Sequence, residues 1–164
     1  MIWLILNPMK QYLKIACVAL CVVAALSALA ACEKKSTQNF TVDDPYVRAT
    51  PQKVSAGYFT ITNNTAVDDA LVSITADWAG KIELHNIVMD GDVMNMVPVE
   101  NIALPVKQPV ELKSGGLHVM LFDLKDPLNV GDTRKATLHF AHAPEMRIEF
   151  KVKPITYKGL EHHH

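Results

Sequence analysis

From Tyr46 to Val152 the chain alternates apolar and polar residues over short runs, and no stretch carries a long helical stripe. Runs at 46–49, 56–62, 70–75, 81–89, 93–97, 110–112, 117–122, 135–140 and 147–152 show period-two alternation or enrichment in β-branched residues, the pattern of strands with one buried face. Turn signals separate them: Asn63-Asn64, Asp90-Gly91, Ser114-Gly115-Gly116 and Asn129-Val130-Gly131-Asp132. Short strands punctuated this way predict an all-β, antiparallel sandwich or barrel with Greek-key connections. Asp90-Gly91 is the clearest hairpin signal, and it predicts that 81–89 and 92–97 are antiparallel neighbours.

The ends read differently. Lys10 and Lys14 precede an uncharged apolar run, 15–31, that closes in small residues, as an export signal does. Leu29-Ala30-Ala31-Cys32 resembles a lipobox, so cleavage would leave Cys32 as a lipid-modified N-terminus; an uncleaved anchor and simple secretion are the alternatives. Met9-Lys10 is the more natural start of such a signal, so residues 1–8 are expected to come from an upstream start, with Met1 as the alternative. The expected organisation is therefore a signal peptide with lipobox over 1–32, a flexible tether over 33–39, a single β-sandwich domain over 40–157, and a C-terminal end over 158–164. The last of these carries a tag remnant in His162-His163-His164, which is set apart from any metal argument.

Charge and cysteine content narrow the function. The 16 Lys and Arg nearly balance the 17 Asp and Glu, for a formal net charge of −1, which excludes a nucleic-acid binder on charge grounds. The cysteines are Cys17, Cys21 and Cys32, all in the signal or at its end. The mature domain then has no thiol for a disulfide, a blue-copper site or a cysteine zinc site.

What remains is a set of soft donors, His85, Met96, His118 and Met120, spaced His-x10-Met-x21-His-x-Met. Thioether sulfur and imidazole nitrogen suit Cu(I) and serve hard cations poorly. Strand parity puts His118 and Met120 on one face, and Met94 shares a face with Met96 as an auxiliary ligand candidate. The turn before His118 places it near a loop, where a metal could be accepted and released. A plainer reading makes the methionines core gap-fillers and the histidines half-exposed strand residues. Spacing and composition leave both readings open. His139 and His142 are three apart, on opposite faces of a strand, and read as structural or surface residues. Glu83, Asp90, Asp92 and Glu100 read as solvated charges, and Trp78 as cover for the core edge or a loop.

Leu84-His85, the stretch Asp90-Gly-Asp-Val-Met-Asn-Met-Val-Pro-Val99, and the stretch Leu112-Lys-Ser-Gly-Gly-Leu-His-Val-Met-Leu121 resemble the periplasmic copper chaperones of the PCuAC type. The resemblance runs from about Val47 to Phe150. It implies a cupredoxin-like β-sandwich that binds Cu(I) through His85, Met96, His118 and Met120. Asn86 departs from the pattern, since many members carry Met or an acidic residue after the first histidine, and this touches auxiliary ligation alone. The implied role is an extracytoplasmic metallochaperone, not an enzyme: a lipid-anchored monomer at the periplasmic or outer envelope face. It would pass copper by ligand exchange to copper-assembly proteins and a cytochrome c oxidase subunit. The alternative is a lipoprotein that sequesters copper for tolerance without a dedicated recipient.

Overall fold

The alternation resolves into ten strands in a computed structural model, which describes residues 39–159. They are β1 (Phe40–Arg48), β2 (Ser55–Asn63), β3 (Asp69–Thr75), β4 (Ala79–Asp90) and β5 (Val93–Pro98), followed by β6 (Ile102–Leu104), β7 (Pro109–Leu112), β8 (His118–Leu124), β9 (Thr133–Phe140) and β10 (Met146–Lys153). Among the described residues there is no helix, as expected. The signal, Cys32 and the tag lie outside the described residues, as does all of the tether but Asn39, which forms a bend before β1.

The strands form one sheet in the order β5-β4-β8-β2-β1-β10-β9-β3-β6, with β7 pairing onto β2. Strands β3 and β4 follow one another in the chain yet stand far apart in that order, so the sheet curls over itself and encloses its inner face. Strands β5 and β6 lie at opposite ends of the order although only residues 99–101 join them. The result is the cupredoxin-like sandwich expected from the resemblance.

Two details differ from the expectation. The sheet is not wholly antiparallel, because β1 and β10 run parallel, with Tyr46 beside Lys151 and Arg48 beside Lys153. A parallel pair needs a long connection between its strands, and here nearly the whole domain supplies it. In addition, β6 and the first half of β1 were not anticipated. Ile102-Ala103-Leu104 does alternate buried, exposed, buried, but three residues are too few to separate a strand from a loop by pattern.

The enclosed face holds Val47, Ile61, Leu71, Leu84, Val119, Leu121, Leu138 and Phe150, all buried. Phe40 and Phe140 stack across it with ring centroids 4.0 Å apart, joining the start of β1 to the end of β9. Each fully buried aliphatic side chain contributes about 1.5–3 kcal/mol relative to exposure, so the alternation along β4 and β8 anchors both strands through Leu84, Val119 and Leu121. Their other residues are then directed to the outer face.

Polar groups fasten the loops. Asn63 is buried at the Asn63-Asn64 turn; its Nδ2 donates to the carbonyls of Val67 and Leu104, and its Oδ1 accepts from Thr65 N–H. Asp69 accepts from the N–H groups of Ala70, His142 and Ala143, at 2.7, 3.1 and 2.9 Å. Burial would raise the Asp69 carboxyl, but these donors outweigh it and hold the group below the ordinary carboxylate value. Trp78 packs against the core and donates from Nε1 to the Lys135 carbonyl at 2.7 Å. Gly80 faces the kink at Asp123, whose φ is 52°, and a Cβ on Gly80 would stand 2.8 Å from the Asp123 Cβ. Only glycine admits that approach.

Candidate metal centre

The pairing of three neighbouring strands assembles the four donors. On β4 and β8, His85 is directly opposite His118, and Glu83 opposite Met120. On β4 and β5, His85 is opposite Pro98, Ile87 opposite Met96, and Met89 opposite Met94. Directly opposed residues in an antiparallel ladder point to the same face. His85, Met96, His118 and Met120 therefore share the outer face, together with Glu83, Met89 and Met94. His85 is at the middle: His118 lies straight across from it, and Met120 and Met96 occupy the two diagonals, at roughly 7–8 Å for such positions.

The hairpin register is what sequence could not supply, and the turn supplies it. Asp90 pairs with Val93 to close a loop of Gly91 and Asp92, and Gly91 has a φ of 60°, the glycine-first arrangement of a two-residue hairpin. A slip of one residue would turn Met96 to the opposite face.

The imidazoles are arranged as ligands. Their ring centroids are 5.8 Å apart. His118 Nδ1 lies 2.8 Å from the Gly116 carbonyl, which can only accept; Nδ1 is therefore the N–H, and Nε2 carries the lone pair. His85 Nε2 lies 2.9 Å from the Glu83 carboxylate, so the same logic makes Nε2 the donor and Nδ1 the lone-pair nitrogen. His85 Nδ1 is buried and has no hydrogen-bond partner. A buried unpaired acceptor is costly unless something uses it, and a histidine held by a carboxylate or carbonyl through its other nitrogen is the arrangement that orients a metal ligand.

Glu83 keeps contact with solvent, as expected of a charged strand residue, and it also has partners on this face. It bonds Lys81 Nζ at 2.6 Å and His85 at 2.9 Å. The Lys81 ammonium first, and the His85 ring second, hold its carboxyl below the ordinary value, so it stays ionised and keeps hold of the ring. The signal was present in the sequence, since Glu83 is two residues before His85 and parity puts both on one face.

His118 begins β8 directly after the turn, as expected, but its side chain is not at a loop surface. The residue is 4% exposed, covered by Tyr58, whose ring centroid is 6.4 Å away. Arg48 in turn lies over Tyr58 at 5.0 Å. The plainer reading of the methionines as core gap-fillers fails for Met94 and Met96, which are 66% and 59% exposed.

Other sequence candidates fall elsewhere. His139 Nε2 pairs with Thr75 Oγ1 at 2.8 Å, and its Nδ1 is 3.7 Å from Glu145. Among the described residues no three His, Cys, Asp or Glu side chains are grouped to hold a metal ion, so a centre on this face has to draw on thioether sulfur. A cleft of about 640 Å³ is lined by residues of β9, β10 and the end of β3, including Lys135 and Arg147; it shares none with the His and Met face.

A cupredoxin-like sandwich with paired imidazoles and thioethers on its outer face defines the class, a domain of the PCuAC type. The apo PCuAC domain from PmoF1 is 29% identical with a TM-score of 0.60, covering 71% of this chain and 94% of that domain. The Cu(I) form of DR1885 from Deinococcus radiodurans is 31% identical with a TM-score of 0.55, covering 77% of this chain and 87% of that one. RP573 of Rickettsia prowazekii is 35% identical over 99 residues, 60% of this chain; the chain spans 55% of that relative's length. The model of a family described as "Putative lipoprotein LpqE-like" matches residues 40–152, and the chain belongs to this LpqE-like family.

Proposed function

We propose that the protein is an extracytoplasmic Cu(I) metallochaperone that captures copper on the His85, Met96, His118 and Met120 face and passes it on by ligand exchange. The observation that carries this reading is the opposed imidazole pair, each ring pinned through one nitrogen and left with a lone pair on the other, among thioethers. Two neutral nitrogens and two neutral sulfurs match a soft monovalent ion. The Cu(I)-bound relative DR1885 supports the choice of metal. Thioethers have no proton to lose, so capture by methionine releases none, and exchange to a recipient can proceed one ligand at a time with copper remaining monovalent.

The recipients we infer are copper-assembly proteins and the copper centres of cytochrome c oxidase, reached from a monomer tethered through lipid on Cys32 at the periplasmic or outer envelope face. Four protein ligands, which leave no open position on the ion, favour carriage over catalysis. Titration with Cu(I) against a competing chelator tests the site. The His118→Ala, Met120→Ala double variant should bind at least about a hundredfold more weakly, the upper range for disturbing metal-site partners; unchanged binding overturns the site. X-ray absorption should show both sulfur and nitrogen around copper. A deletion strain separates delivery from sequestration, because normal oxidase loading with raised copper sensitivity would favour the latter.

A further inference from the structure

We propose a second, outer Cu(I) site on Met89 and Met94, which captures the ion at the tip of the β4–β5 hairpin and hands it along the same face to the inner centre. This deepens the metallochaperone reading and rests on it.

Met89 and Met94 are directly opposed in the ladder, one pair from the closing pair Asp90 and Val93. Opposed side chains start with Cβ atoms roughly 4.5–5.5 Å apart, and two unbranched, flexible thioethers can converge from there. Both residues are exposed, at 58% and 66%, so neither fills a gap in a core. Val88, on the other face of the same strand, is exposed too, which shows that this end of the hairpin projects from the body with both faces in solvent. With Met96 and Val93, Met89 and Met94 make a contiguous exposed apolar group at the hairpin, and contiguous groups rather than scattered ones mark interaction sites.

Register directs that use inward. Met96 lies diagonal to Met89 and also diagonal to His85, so thioethers form a series from the tip to the imidazole pair, all on one face. Charge works the same way. From Leu84 to Val99 the chain has no lysine or arginine, while Asp90 and Asp92 flank the tip, and two carboxylates raise the local concentration of a cation without being soft ligands for it. Transfer breaks the bonds from copper to the Met89 and Met94 sulfurs as bonds form to the Met96 and Met120 sulfurs and to the lone pairs of His85 and His118, with no change in oxidation state and no proton released.

The test compares the full protein with its Met89→Leu, Met94→Leu variant, which keeps the apolar area and removes the sulfur. Cu(I) is the probe, followed by the methionine methyl signals in NMR and by stopped-flow loading from a weak Cu(I) chelator. In the parent, the first equivalent should shift Met96 and Met120, and a second should shift Met89 and Met94 together. In the variant, the first equivalent should still shift Met96 and Met120, while loading slows by about tenfold, because tip capture no longer makes the inner step intramolecular. Unmoved Met89 and Met94 methyls in the parent, or a variant that loads at the parental rate, overturn the outer site and leave the inner one standing. A tenfold or larger loss of first-equivalent affinity overturns it as well, by making Met94 or Met89 an inner ligand. No Cu(I) binding by the parent sinks both readings.

Discussion

Strand β4 is two different strands joined end to end. Its first part, through His85, pairs with β8, and His85 is the one residue paired with both β8 and β5; Leu84 is buried in the core and His85 is held by Glu83. Its last part, Val88 to Asp90, pairs with β5 alone and is exposed on both faces. The body part fixes the imidazoles, whose lone pairs must converge, by placing alternate residues in a packed core. The projecting part presents thioethers, which are flexible and tolerate loose placement. On the proposed reading, the face thus divides its soft donors between a rigid and an open half of one hairpin.

Changes to the packed half should have the largest effects. Leu121→Ala removes a fully buried side chain behind the His118 and Met120 face and should cost about 2–5 kcal/mol, read from chemical denaturation midpoints. Gly80→Ala comes next, since the new methyl meets Asp123; about 1–3 kcal/mol is expected for forced overpacking, again from denaturation. A tolerated Gly80→Ala would show that β4 and β8 can separate at that end, weakening the claim of rigidity.

A smaller effect is the acid sensitivity of the loop that Asp69 holds. Its carboxyl is lowered in the folded protein from an ordinary 3.8, so its contribution is complete above the unfolded value and is lost as pH falls through the folded one. The denaturation midpoint should therefore fall in acid with a slope that Asp69→Asn flattens below about pH 5. An identical slope in the variant would remove Asp69 from the account. The smallest effect belongs to the projecting half: Val88→Thr should stay within about 0.5 kcal/mol of the parent. A larger loss in the same denaturation measurement would mean that the tip is packed against something, and the contrast within β4 would collapse.

Particular residues show how much of this was legible beforehand. The alternation at 81–89 and 117–122 was sufficient to place β4 and β8, because a strand buried on one face writes that face into every second residue. Met96 and His85 could be recognised as donors, but not their diagonal relation, since register depends on how Gly91 closes the hairpin. The burial of His118 was hidden for a related reason. It depends on Tyr58, sixty residues earlier in the chain, arriving beside it through β2. The parallel pairing of β1 with β10 was likewise a product of the whole curl, with no local signal at either strand. Glu83 was readable and was passed over, because a charged residue on a strand ordinarily faces water.

The connection from β5 to β6 bears on how this molecule behaves at high concentration. Pro98 and Ile102 can be no more than roughly 14 Å apart along so short a link, yet they stand on the two outermost strands of the sheet. The two end strands of that order, each with one margin open to a strand from a neighbouring molecule, are thereby kept beside one another. One is six residues long and ends in proline, and the other has three residues. Short, proline-ended margins are poor templates for intermolecular pairing, so the fold can leave a methionine-rich hairpin open to solvent without inviting its own copies to polymerise along it.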